Sequence, residues 1–153
     1  MNDVLLNLMQ HMRWADTLVA DALERDSVDD VKTLGLFAHI ASVEHLWYAR
    51  IQAQTPRLAV WPSLAVADAR SLAAEHADLF EQLVRASDTD ALARRVHYRN
   101  SAGRAYESPI AEIVTHVAMH GSHHRGQILQ RLRTAGHEPP YVDFIQFTRR
   151  DQG

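Results

Sequence analysis

The chain has 153 residues, 16 basic and 19 acidic side chains, a formal net charge of −3 and no cysteine. That length suits one domain over 1–153 with a full core of its own, and the missing cysteines exclude disulfides, thiolate metal ligands and a cysteine nucleophile. The opening MNDVLLNLMQHMRWAD has an early acid and no continuous apolar run, so neither a signal peptide nor a membrane span is expected and a cytoplasmic location is the natural reading.

Four long helices are predicted. The first covers 3–25, where Leu5, Leu8, Met12, Ala15, Val19 and Ala22 recur at three- and four-residue steps and form one apolar face. RDSVDD breaks it. The second covers 30–54, with acids at its start that suit the helix dipole. The short link predicts that these two helices lie side by side and antiparallel. QTPRLAVWPS, with two prolines, interrupts next. The third helix covers 64–86, with Ser63 as N-cap. In RRVHYRNSAGRAYES, Val96, Tyr98 and Tyr106 flank an Asn-Ser-Ala-Gly turn, which predicts a small β-hairpin. The fourth helix covers 109–135, with Ser108 as N-cap, Pro109 at the first helical position and Gly136 past its end. The fold class expected is all-α, a four-helix bundle with a hairpin between helices three and four.

Ten residues in the chain are histidine, and four of them fall in HVAMHGSHHRGQ, His116 to Gln127. The inward stripe of the fourth helix reads Ile113, Val117, His120, His124 and Ile128. His120 and His124 are one turn apart, so both rings can address one point in space. His116 continues the row one turn earlier without a clear need to bind, and His123 turns aside. On the second helix His39 sits in the apolar stripe between Leu36 and Val43, whereas His45, six residues on, faces elsewhere. Two readings compete. Three neutral imidazoles can hold a divalent ion and leave a position open for water or substrate. Equally, core-facing histidines can be satisfied by backbone groups or by Gln127. Gly121 stands where a metallopeptidase HExxH motif needs its glutamate, which argues against that chemistry. Gly121 and Gly126 both lie inside the helix, at about 1 kcal/mol each against alanine. Close helix approach or ligand room would justify them; for Gly126 an ordinary packing contact serves as well.

These residues carry a resemblance. HVAMHGSHHRGQIL followed by RLRTAGHEPPYVDFIQF, with WAD at 14–16, LFAHIASVEHLW at 36–47 and YRNSAGRAY at 98–106, resembles the DinB-like family across essentially the whole chain. The resemblance implies an up-down-down-up order of the four helices. It implies a divalent metal, nickel or zinc, held by His39, His120 and His124, the three histidines that the helical pattern also selects. It implies a homodimer, and a small-molecule substrate that in some relatives reacts with a low-molecular-weight thiol. No catalytic residue is assigned by it.

The functional expectation is a metal-dependent S-transferase-like enzyme or hydrolase. The alternative is a non-catalytic, metal-stabilised binding or dimerisation module of a stress response. No dense Lys/Arg run is interleaved with aromatics, so no nucleic-acid partner is expected, and none in the membrane. Arg125 and Arg13 can anchor a substrate, but read better as solvated helix arginines. Trp14, Trp47 and Tyr48 either wall the pocket or fill the core. His11 lies at the margin of its helix's apolar stripe. His76, His97 and His137 have no partner pattern and read as surface or hairpin residues.

Overall fold

In the computed structural model, which describes residues 2–149, the first apolar stripe becomes helix α1 (Asn2–Arg25). It is followed by α2 (Val31–Ile51), α3 (Val66–Ala86), the short α4 (Thr89–Ala93), strands β1 (Arg95–Arg99) and β2 (Ala105–Pro109), α5 (Ile110–Thr134) and α6 (Phe144–Arg149). The described residues are mostly helical with one two-stranded antiparallel sheet. Among the described residues no helix is long and apolar enough to cross a membrane.

The caps explain most boundary differences. Asp30 caps α2, its carboxylate accepting from the Thr33 amide at 2.8 Å. Arg131 of α5 bonds the same carboxylate at 2.7 Å, which ties the start of α2 to the end of α5. Helix α2 stops at Ile51 rather than 54, because Ala53 takes a left-handed conformation with φ 54°. Helix α3 starts at Val66 on Ala65, without a side-chain cap, so Ser63 is not its N-cap. Nor is Ser108 a cap. It pairs with Val96 in the hairpin, and β2 runs through Pro109 directly into α5. The hairpin turn is the expected one: Asn100 Oδ1 accepts from the amides of Ala102 and Arg104, and Gly103 has φ 78°.

Among the described residues α1 packs most closely on α3 and α5, and α2 packs on the same two helices. The side-by-side pairing of α1 with α2 does not form. Its place is taken by an α1–α3 seam of ion pairs, Arg13 to Asp78 and Glu81, and Arg70 to Asp21 and Glu24. That seam is antiparallel. So is α2 against α5, where His39 meets His120 and Asp30 meets Arg131.

The core is split in two. One apolar cluster gathers Leu5, Met9, Met12, Ile51, Phe80, Ile113 and Val117 near the hairpin end. The other gathers Val19, Leu23, Phe37, Ile40, Ile128 and Leu132. On α1, α2 and α5 the change from one cluster to the other falls around Asp16, Glu44 and Arg125, which are all buried. A layer of buried acidic and basic side chains therefore crosses the middle of the protein, at the level where α5 carries its histidines.

Candidate metal centre

Helix α2 brings His39, and α5 brings His120 and His124, to one place where their ring nitrogens lie within 4.8 Å of one another. His39 is buried and the other two are half-buried. His39 Nε2 and His120 Nε2 are 3.1 Å apart. Donors on one tetrahedral ion with bonds of 2.0–2.1 Å stand about 3.3 Å from each other, so the spacing of this pair fits such an ion.

Hydrogen bonds on the outer ring atoms orient two of the rings. His39 Nδ1–H donates to the Val60 carbonyl at 2.7 Å, and His124 Nδ1–H donates to the Gln127 side-chain carbonyl at 2.7 Å. Each bond engages Nδ1 and leaves Nε2 as the ring's ligand atom for a cation. The indole of Trp61 stacks on His39 at 3.6 Å with an interplanar angle of 3°, so ring rotation there is blocked on one face. Burial pushes the His120 imidazole down to about 3, and the neighbouring His124 and His39 push the same way. His39 is also lowered, by burial. His39 and His120 therefore resist protonation, and the neutral imidazole is the form that ligates metal.

Val60 and Trp61 lie in the connection between α2 and α3, and a second histidine pair fastens that connection. The Arg57 amide donates to His45 Nε2 at 2.9 Å. His45 Nδ1–H therefore donates to His76 Nε2 at 3.1 Å, and His76 Nδ1–H donates to the Leu72 carbonyl at 2.9 Å. The Ala59 carbonyl adds a third fastening by accepting from Ser42 Oγ at 2.6 Å. His45 faces away from the triad, as expected. His76 does not lie on the surface: it is 2% exposed, and what hides it is a partner on another helix.

Arg125 is neither solvated nor available to a substrate. It is 1% exposed, and its Nη1 donates to Asp16 at 2.8 Å. Glu44 is buried with them. Burial pushes its carboxyl well above the usual range, and the charge of Asp16 pushes further in that direction. Gly121 now has a reason: a Cβ there would lie 2.7 Å from Arg125 Nη1, so the glycine makes room for the guanidinium one turn on. Gly126 is different, since a Cβ there would meet nothing within 4 Å. Arg13 is held at the α1–α3 seam by Asp78 and Glu81, away from the triad.

The remaining expectations divide. His11 is buried, but its Nε2–H donates to the Val142 carbonyl and its ring packs against Trp14, Phe144 and Phe147, so it anchors α6. Trp14 belongs to the same group. Tyr48 packs on His76 and Phe80. Of the three aromatics named from sequence, only Trp47 approaches the triad: it touches His116, whose ring is 5.8 Å from that of His120. His123 is exposed beside His124. His97 is exposed on the hairpin, and His137 lies at the edge near Asp26. Trp61 was the residue sequence reasoning missed. It sits in an aperiodic segment, and its one signal is a tryptophan beside proline in a loop.

Burial lowers the imidazoles of His11, His39, His45, His76 and His120 below the usual value of about 6.5. Unfolded, each binds a proton near 6.5; folded, each resists protonation to lower pH. The unfolded state therefore binds more protons, and stability present above 6.5 is lost as pH falls below it. The urea midpoint of metal-free protein is expected to drop steadily from pH 7 to pH 5. A midpoint constant over that interval would refute the buried, neutral state of these rings.

The DinB family model matches residues 1–152. No curated protein matches the chain.

Proposed function

This chain belongs to the DinB family, and we propose that it is a divalent-metal protein whose ion is held by His39, His120 and His124. The observation that carries the proposal is the convergence of three imidazole nitrogens, two of the rings oriented by outer hydrogen bonds to oxygen. Nickel or zinc suits this donor set, since imidazole is a ligand for both. We read the fold as a single-domain four-helix bundle of α1, α2, α3 and α5 in up-down-down-up order. The antiparallel seams of α1 with α3 and of α2 with α5 support that order.

The reading extends to catalysis on a small molecule in the cytoplasm, by a homodimer, as an S-transferase-like enzyme or a hydrolase. A metal with three protein ligands supplies Lewis acidity and lowers the pKa of a water or thiol bound to it. The chain's own contributions are separate. Val60 and Gln127 hold two of the rings in register. Trp61 shields one face of His39 while remaining 60% exposed itself. With no cysteine in the sequence, a sulfur nucleophile comes from a cosubstrate thiol. A cavity of about 830 Å³ shares Trp61, His123 and Gln127 with the surroundings of the triad, and that opening supports a catalytic site over a closed structural one.

The test is elemental analysis of protein purified without a metal-affinity column. One equivalent of nickel or zinc per chain is expected, and the loaded protein should show a thermal shift with low-molecular-weight thiols. Protein that stays metal-free after dialysis against both ions would end the proposal.

A further inference from the structure

The cavity beside the triad has features that metal binding does not need. It lies between the start of α2 and the end of α5, and Val31, Leu36 and Trp61 give it apolar walls. Its volume of about 830 Å³ falls within the range of small-molecule sites. Two helix-interior glycines, Gly35 on α2 and Gly126 on α5, line it from opposite sides. A Cβ at either would meet nothing within 4 Å, so neither glycine is required by packing or by backbone conformation. Glycine inside a helix is unfavourable against alanine, and here it leaves open the space that a side chain would take.

The charge of the lining is one-sided. It contains Lys32 and Arg131 and no acid. Arg131 is committed to Asp30 and Thr33. Lys32, the only lysine of the chain, makes no ion pair or hydrogen bond among the described residues and is exposed. Trp61 and Gln127 each touch a triad histidine and also line the cavity, so a molecule seated there borders the triad.

We infer that this cavity is the substrate subsite of the centre, and that it takes a molecule with a flat apolar body and an anionic group that pairs with Lys32. The role as substrate subsite rests on the metal-centre reading above; the binding chemistry of the cavity does not. The body lies between Gly35 and Gly126 against Trp61, and the anion reaches the α2 side.

Two dyes of one shape separate the two halves of the inference: 8-anilinonaphthalene-1-sulfonate, which is anionic, and N-phenyl-1-naphthylamine, which is not. Both are titrated by fluorescence against the purified full chain, with metal content measured in every sample. Wild-type protein is expected to bind both. Gly126→Leu and, on the opposite wall, Gly35→Leu should weaken both dyes by about tenfold or more while the melting temperature holds or rises. Lys32→Glu should weaken the sulfonate by about fivefold or more and leave the neutral dye within about twofold. Unchanged dye affinity in both folded leucine variants overturns the subsite. So does a wild-type dimer that both leucine variants dissociate without change in dye affinity, since the groove is then covered by a second copy. Equal effects of Lys32→Glu on the two dyes overturn the anionic pairing. Dye binding as expected in protein that never takes up metal would sink the metal reading and leave the cavity standing as a binding site.

Discussion

Arg125→Met is expected to destabilise the protein by about 3–5 kcal/mol, the cost of stranding a buried charge. The guanidinium is 1% exposed and its partner Asp16 is nearly as deep. Methionine fills much of the volume but leaves the Asp16 carboxylate without a counter-charge between two apolar clusters. Glu44, whose carboxyl burial holds toward the neutral form, supplies no counter-charge in its place. At about 2–4 °C per kcal/mol for a chain of this size, the melting temperature should fall by about 10 °C. Adding Asp16→Asn removes the stranded charge, so the double variant should recover a large part of the loss. This non-additivity is the signature of a pair acting as a unit. A single variant within about 1 kcal/mol of wild type, measured by urea unfolding at pH 7, would show that Arg125 and Asp16 do not act as a buried ion pair.

The same layer shows where sequence periodicity stops being informative. Arg125 lies next to the inward stripe of α5, and nothing in a helical wheel distinguishes a solvated arginine from one folded back over a glycine. Gly121 was the available clue, four residues earlier on the same face. His76 was hidden in a similar way, since its partner His45 stands 31 residues away on another helix and neither spacing nor composition links them. The triad was legible because it follows the local rule: His120 and His124 are one turn apart, and His39 interrupts an apolar stripe. The hairpin was legible from its turn residues. Trp61 was not legible, because loop residues have no period and its stacking on His39 is set by the path of the α2–α3 connection. The pairing of α1 with α3 rather than with α2 also escaped the sequence. Short links constrain which helix ends meet and leave open which faces pack.

His120→Ala is expected to weaken metal binding by well over 100-fold, more than the 10–100-fold that loss of an outer partner brings. Its Nε2 stands 3.1 Å from that of His39 and is the point at which the α2 and α5 histidines meet. With it gone, His39 and His124 are left as two donors, too few to hold an ion through dialysis. His124→Ala should behave alike. Three comparisons make the result specific. Gln127→Ala removes only the acceptor on His124 Nδ1 and should weaken binding by about 10–100-fold while stoichiometry at saturation stays at one. His123→Ala and His116→Ala, whose rings border the triad without joining it, should leave stoichiometry and affinity near wild type. Metal-free His120→Ala should also be less sensitive to acid than metal-free wild type, since the ring held lowest, at about 3, no longer opposes folding on protonation. Elemental analysis after dialysis reads the first result and urea midpoints at pH 7 and pH 5 read the last. Full metal occupancy in the His120→Ala, His124→Ala double variant would place the ion elsewhere.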